Sequence, residues 1–135
     1  MSDHSTLPEA FKDLLDSPFA TLATVGPDGR PQLSVVGFLH HDGDLKVSLH
    51  AKRQKTKNLR RNPAVNLFIL DPHNPMRYLE IRGDAELADD PDYAFADTLA
   101  AKYPGTDLRQ MDGDDRRRFV VTIRPTRVVA VDLSA

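Results

Sequence analysis

Six cations fall within ten residues of the stretch HAKRQKTKNLRRNP (50–63): Lys52, Arg53, Lys55, Lys57, Arg60 and Arg61, with no acid among them. The chain as a whole has a formal net charge of −2, and the other 12 Lys+Arg face 20 Asp+Glu. Positive charge is therefore concentrated here in an otherwise acidic protein. Thr56 is a side-chain type suited to capping a helix start, with Lys57, Asn58 and Leu59 as the first turn. That would place Lys55 and Lys57 at the positive end of the helix dipole, where a cation is disfavoured. An anion at that point removes the conflict, because free N–H groups and lysines converge on it. Arg60 and Arg61 suit the negative end and need no ligand. A solvated helix face accounts for the same charges without a ligand. The position just after a strand, beside any molecule lying on the sheet, favours a compact phosphate on a small ligand.

Nucleic acid is a poorer fit. No aromatic residue is interleaved among the cations, and the acidic remainder opposes a polyanion. The sequence pI of about 6.2 points the same way. With no cysteine, thiolate chemistry and disulfides are excluded. No apolar run approaches the roughly 18 residues of a membrane span, and the N-terminus has no secretory pattern. A soluble cytoplasmic protein without membrane or nucleic-acid partners is expected. His40, His41, Asp42 and Asp44 crowd one hairpin turn but lack metal-ligand spacing. The DGDD run (112–115) lacks the closing Glu of a calcium loop, and no serine has a Gly-x-Ser-x-Gly context.

The elements that must position these residues are legible in outline. Leu7, Ala10, Phe11, Leu14 and Leu15 have helical spacing, with Thr6 and Glu9 as a capping box and Pro18 as the stop. The period then changes to two. Strands are predicted over 19–25, 32–39 and 45–50, joined by GPDG and HHDGD turns. The basic segment forms a short helix closed by Pro63. Further strands cover 64–70, 77–87 and 119–133, the last bent at Pro125. Asp90-Pro91 opens a helix with Phe95, Leu99 and Tyr103 on its apolar side, and 110–118 is a polar helix or loop. About six strands, mostly antiparallel, and two or three helices suggest one small barrel domain over 1–135. In the second strand Leu33, Val35 and Leu39 share one face, and Gln32, Ser34, Val36 and Phe38 the other. Turned outward, Gln32 and Ser34 could hydrogen-bond a flat heteroaromatic ring lying over Val36. An ordinary solvent-facing strand has the same pattern.

The segments FATLATVGPDGRPQLSVVGF, KTKNLRRNPAVNLFI and YLEIRGDAEL resemble, in order and spacing, the flavin-binding split β-barrel family that includes pyridoxamine 5′-phosphate oxidase. The resemblance runs from about Phe19 to Val131 and is nearest to the small deazaflavin (coenzyme F420)-dependent reductases. It implies a mainly β fold with flanking helices: a six-stranded antiparallel split β-barrel that pairs as a homodimer, with cofactor sites at the interface. It implies that Gln32, Leu33, Ser34 and Val35 line the ring system, and that His50 and Ala51 close the third strand. Arg53, Lys55, Thr56, Lys57 and Asn58 match the phosphate-binding segment, and Tyr78 a position reaching across from the partner. The implied activity is hydride transfer between reduced F420 and a small organic acceptor, an activated C=C or a quinone-like system. The longer anionic tail of F420 would occupy extra cations such as Arg53 or Arg61. FMN in the same site, or ligand binding without turnover, are the alternatives. No dedicated catalytic side chain is required; Ser34 and His50 are the nearest proton donors. The chain departs from true pyridoxamine phosphate oxidases in lacking their C-terminal Arg/His pattern, since it ends VVAVDLSA. It also has no Trp near Met76-Arg77-Tyr78.

Overall fold

The computed structural model describes residues 6–134. Seven strands form one antiparallel sheet: β1 (Ala20–Val25), β2 (Pro31–Val36), β3 (Leu39–His41), β4 (Asp44–His50), β5 (Ala64–Leu70), β6 (Arg77–Asp89) and β7 (Arg118–Asp132). Their order is β2-β1-β5-β6-β7-β4-β3. The outermost strands, β2 and β3, are joined through only Gly37 and Phe38. Two sheet edges linked by so short a connection must lie side by side, so the sheet curls into a barrel. The seam is closed by chain rather than by a hydrogen-bonded ladder, which makes the barrel a split one. Its interior is filled by Leu22, Phe38, Val47, Leu67, Ile69, Leu79, Ile81, Val121 and Ile123, all at most 1% exposed.

Seven strands replace the six expected because 32–39 is two strands, not one. The Phe38 N–H donates to the Tyr103 hydroxyl at 2.9 Å, and Lys102 Nζ donates to the Phe38 carbonyl at 2.9 Å. Side chains at 102 and 103, outside the sheet, thus take the backbone groups that a neighbouring strand would have used. A Cβ on Gly37 would sit 2.8 Å from the Tyr103 ring, so only glycine lets the ring approach. The last strand is continuous through Pro125. Its irregularity is a register shift at Arg82/Gly83, where pairing passes from Arg82↔Arg127 to Gly83↔Pro125. A Cβ on Gly83 would meet the Arg124 carbonyl oxygen at 2.1 Å.

Helices differ from expectation mainly at their starts. The first is a 3-10 helix, Glu9–Asp16, entered from Pro8 without a side-chain cap, so Thr6 and Glu9 do not form the expected capping box. It buries Leu14 and Leu15 on the barrel. Arg77 anchors it, donating to Asp13 at 2.7 Å and to the Ala10 carbonyl at 2.7 Å. Helix α1 is Gln54–Arg61. Asp90 does cap α2 (Ala94–Ala100), accepting from the Phe95 and Ala96 N–H groups, but from beyond a turn that ends in Tyr93 at φ 57°. Helix α3 is Leu108–Asp112, capped by Asp107, whose carboxylate accepts from the Gln110 N–H.

Candidate cofactor site

The basic segment begins its helix three residues earlier than a Thr56 cap would allow. Arg53 occupies the N-cap position in extended backbone. Thr56 lies inside the first turn, fully buried, and its hydroxyl donates to the His50 carbonyl at 2.7 Å. Thr56 therefore ties α1 to the end of β4 instead of capping it. Lys55 moves into the first turn, where the unpaired backbone N–H groups are. Lys57 is exposed and does not line the cleft described below.

Asn58 and Gln32 also turn inward. Asn58 is completely buried. Its amide donates to Thr24 Oγ at 3.1 Å and to Gln32 Oε1 at 3.2 Å, and its carbonyl accepts from Gln54 at 2.8 Å. Thr24 in turn donates to Gln32 Oε1 at 3.1 Å. This knot pins α1 against β1 and β2. It also reverses the faces assigned to the second strand. Gln32, Ser34 and Val36 point inward, while Leu33 and Val35 are 66% and 69% exposed. The Ser34 hydroxyl is buried with no hydrogen-bond partner. The flat polar platform expected from Gln32 and Ser34 is thus an apolar one made by Leu33 and Val35.

An open cleft of about 270 Å³ lies where β2, β4, the start of α1 and the α2–α3 segment meet. One side presents Val35, Ser48, His50, Arg53 and Lys55; the other presents Leu99, Tyr103, Leu108 and Met111. Phe19 and Tyr103 stack at its edge with ring centroids 5.5 Å apart. Burial, together with the neighbouring Arg53 and Arg118 charges, holds the Lys55 ammonium below the usual lysine pKa. Among the described residues neither Arg53 nor Lys55 has a carboxylate partner within ion-pair distance. Cations crowded at a helix start without a counter-ion, beside an apolar wall, suit a ligand that joins a phosphate to a flat ring.

Other cations of the cluster are engaged elsewhere. Arg61 donates to the Val25 carbonyl at 2.7 Å, and Arg60 lies 5.3 Å over the Phe119 ring. Lys52 pairs with Asp115 at 3.1 Å. His50 has both ring nitrogens occupied: Nδ1 accepts from the Lys52 N–H at 3.1 Å, and Nε2 lies 2.9 Å from the Asp115 carbonyl. That pattern fixes the Nε2–H tautomer and leaves His50 no free nitrogen to donate a proton to a substrate. Ala51 borders a separate cavity with Arg60 and Phe119. Tyr78 packs on Phe68 with centroids 4.9 Å apart, away from the cleft. The structure thus brings Val35, His50, Arg53 and Lys55 together and leaves Leu33, Ala51, Lys57 and Tyr78 outside.

Sequence reasoning missed Ser48, Arg118 and Met111 in the lining. Ser48 was within reach, being two residues before His50 on the same strand face. Arg118 and Met111 come from the polar 110–118 stretch, where no periodicity signals inward placement.

The family model described as pyridoxamine 5′-phosphate oxidase matches residues 7–132. A solved F420 reductase is 40% identical, with a TM-score of 0.79 over 91% of this chain and 98% of its own. A conserved hypothetical protein from Mycobacterium tuberculosis is 30% identical, with a TM-score of 0.76 over 98% of this chain and 89% of its own. General Stress Protein 26 from Bacillus anthracis shares the fold at 20% identity, with a TM-score of 0.68 over 91% of this chain and 92% of its own. The chain, matched along almost its whole length, belongs to the pyridoxamine 5′-phosphate oxidase family.

Proposed function

We propose that the protein is an F420-dependent oxidoreductase acting on a small organic acceptor, an activated C=C or a quinone-like compound. The observation that carries this reading is the pair Arg53 and Lys55, two cations without a counter-ion at the start of α1, opening into a cleft with apolar walls. The 40% identity to an F420 reductase supports it. Arg53, Lys55 and the free N–H groups of the first turn would hold the cofactor phosphate. Val35 and the outer face of β2 would support the ring system.

When bound, the reduced deazaflavin supplies a hydride, and the protein's task is to bind, orient and exclude water. Thr56 and Asn58 fix the angle at which α1 presents Lys55. Tyr103 and Leu99 form part of the apolar far wall, and Phe19 stacks on Tyr103 at the edge of the cleft. Ser48, Tyr103 and Thr106 are the hydroxyls in the lining; solvent entering the open cleft supplies the proton where none of them does. We read the exposed Leu33 and Val35 as part of a surface joining two copies of the chain, with the cofactor sites beside it.

Parallel titration with F420 and FMN tests the reading. Saturable F420 binding that Lys55→Ala weakens and Lys57→Ala spares is the expected result. Preferential FMN binding, with a yellow protein as isolated, would reassign the cofactor. F420 binding with no acceptor able to reoxidise it would make the protein a carrier. Light scattering gives the subunit number, and a monomer that binds cofactor fully would remove the interface from the proposal.

A further inference from the structure

The far wall of the cleft poses a mechanical problem. Helix α3 is only five residues long, and none of its apolar residues is fully buried. Yet its Leu108 and Met111 line the cleft, and Met111 is itself 65% exposed. Apolar burial cannot be what holds this helix in place. Its link to α2, Arg109 to Asp97, is solvent-exposed on both sides and does not reach the barrel.

Arg109 also donates to the Asp92 carbonyl at 3.0 Å and lies 5.1 Å from the Tyr93 ring, both in the turn before α2. The tie to the barrel is at the last residue. Asp112 is 6% exposed and its partner Arg118, the first residue of β7, is 8% exposed. The pair is bidentate, with Nε to Oδ2 at 2.6 Å and Nη2 to Oδ1 at 2.9 Å. The Tyr93 hydroxyl, on a ring 2% exposed, donates to the same Oδ2. Arg118 Nη1 continues the chain to Ser48 Oγ at 3.3 Å, and both Arg118 and Ser48 border the cleft. An apolar anchor would hold α3 at a smaller desolvation cost, whereas a bidentate ion pair also fixes its direction.

We infer that Asp112 and Arg118 are positioning residues that set the width of the cleft, and with it the breadth of planar apolar acceptor admitted, by holding Leu108 and Met111 against the barrel face. The inference rests on the proposed function, with the cofactor on the β2 and α1 side of the cleft and the acceptor between it and α3. Arg118 directs Nε and Nη2 to Asp112 and Nη1 to Ser48, so the pair works through α3. Loosening it should leave the cofactor cations Arg53 and Lys55 on their own helix.

The test uses the full chain as wild type, Asp112→Asn and Asp112→Glu, with 1,4-naphthoquinone and its 2-phenyl derivative as slim and wide probes. Affinities are read from backbone amide shifts, which need no turnover, and hydrogen exchange is read at 108–112. In Asp112→Asn the α3 amides should exchange about tenfold faster while the barrel amides are unchanged. The affinity ratio should move about fivefold toward the wide probe. F420 affinity should be unaltered, and Asp112→Glu should restore both the exchange and the ratio. Should Asp112→Asn not fold, the double variant Asp112→Leu/Arg118→Met removes the buried charge as well, and the α3 exchange and the probe ratio are read in it; F420 affinity is compared only between wild type and the single variants, because Arg118 borders the cofactor cleft. An unchanged probe ratio or unchanged α3 exchange in a folded variant overturns the positioning role alone. Wild-type protein that binds neither quinone overturns the acceptor reading, and this inference with it.

Discussion

Asn58→Ala separates two roles that a buried polar residue in a cofactor segment can have. As drawn by its contacts, Asn58 is a rivet for α1. Its side chain makes three hydrogen bonds, to Gln54, Thr24 and Gln32. Each contributes about 1 kcal/mol net, so their loss costs about 3 kcal/mol before any cavity is counted. The total stays near that figure because Thr24 and Gln32 keep each other as partners and Gln54 can turn to solvent. For a domain of this size the melting temperature should fall by about 10 °C. Urea titration of wild type and variant, with m-values compared, gives the stability change directly. F420 affinity of the folded variant should weaken by less than about tenfold, through a looser α1 and not through a lost contact. A variant of wild-type stability whose F420 affinity collapses would refute the rivet and give Asn58 to the ligand.

Other perturbations have outcomes of comparable sharpness. Gly83→Ala places a Cβ 2.1 Å from a backbone oxygen that cannot rotate away. It should cost about 3 kcal/mol or more, read as a lowered urea midpoint. Lys55 has a lowered pKa in the free protein, and a bound phosphate would raise it. Cofactor affinity should therefore be level near neutral pH and fall as pH climbs through the range where free Lys55 loses its proton, as calorimetry across alkaline buffers would record. Asp115 is held well below the usual carboxylate range, first by the Arg117 hydrogen bonds and then by Lys52. Burial works to raise the Asp112 pKa, but hydrogen bonds from Arg118 and Tyr93 outweigh it and the net shift is downward. Both groups stabilise the fold above the unfolded carboxylate pKa of about 4 and lose that contribution as pH falls through their folded values. The urea midpoint should hold steady from about pH 7 to 5 and drop below about 4.

The barrel was legible because its signals are local. Alternation in β4 and β6 reads directly as inward Leu45, Val47 and Leu49, and Leu79, Ile81 and Ala85. The Asp42-Gly43 turn has φ 53° and 83°, the left-handed pair that a tight hairpin demands. What escaped depends on partners distant in sequence. The second strand ends at Val36 because Tyr103, 65 residues beyond Phe38, takes the Phe38 N–H. Its faces were inverted because an exposed Leu33 or Val35 looks, in sequence, the same as a buried one. Thr56 has the chemistry of a helix cap, yet the His50 carbonyl claims its hydroxyl. Within the site, the concentration of positive charge in the segment was visible in the sequence. Its division into Arg53 and Lys55 at the cleft, with Lys57 outside, was not, because one residue of shift in a helix start turns every later side chain by about 100°.

The β6–β7 ladder runs rung by rung to Asp89↔Phe119, and the Asp90 N–H still reaches the Arg118 carbonyl at 3.0 Å. Residues 91–117, which carry the whole far wall of the cleft, leave and rejoin the barrel at adjacent points of the same ladder. Their two ends join the frame at one place, and between them the segment is held at a few points: Tyr103 and Lys102 at Phe38, Asp112 at Arg118, and Asp115 at Lys52 and His50. A segment that keeps those contacts can be lengthened, shortened or exchanged for that of a relative without changing the register of the β6–β7 ladder. The barrel and α1 would then keep one cofactor while the inserted cassette changes the acceptor, a physical route by which one frame serves many substrates.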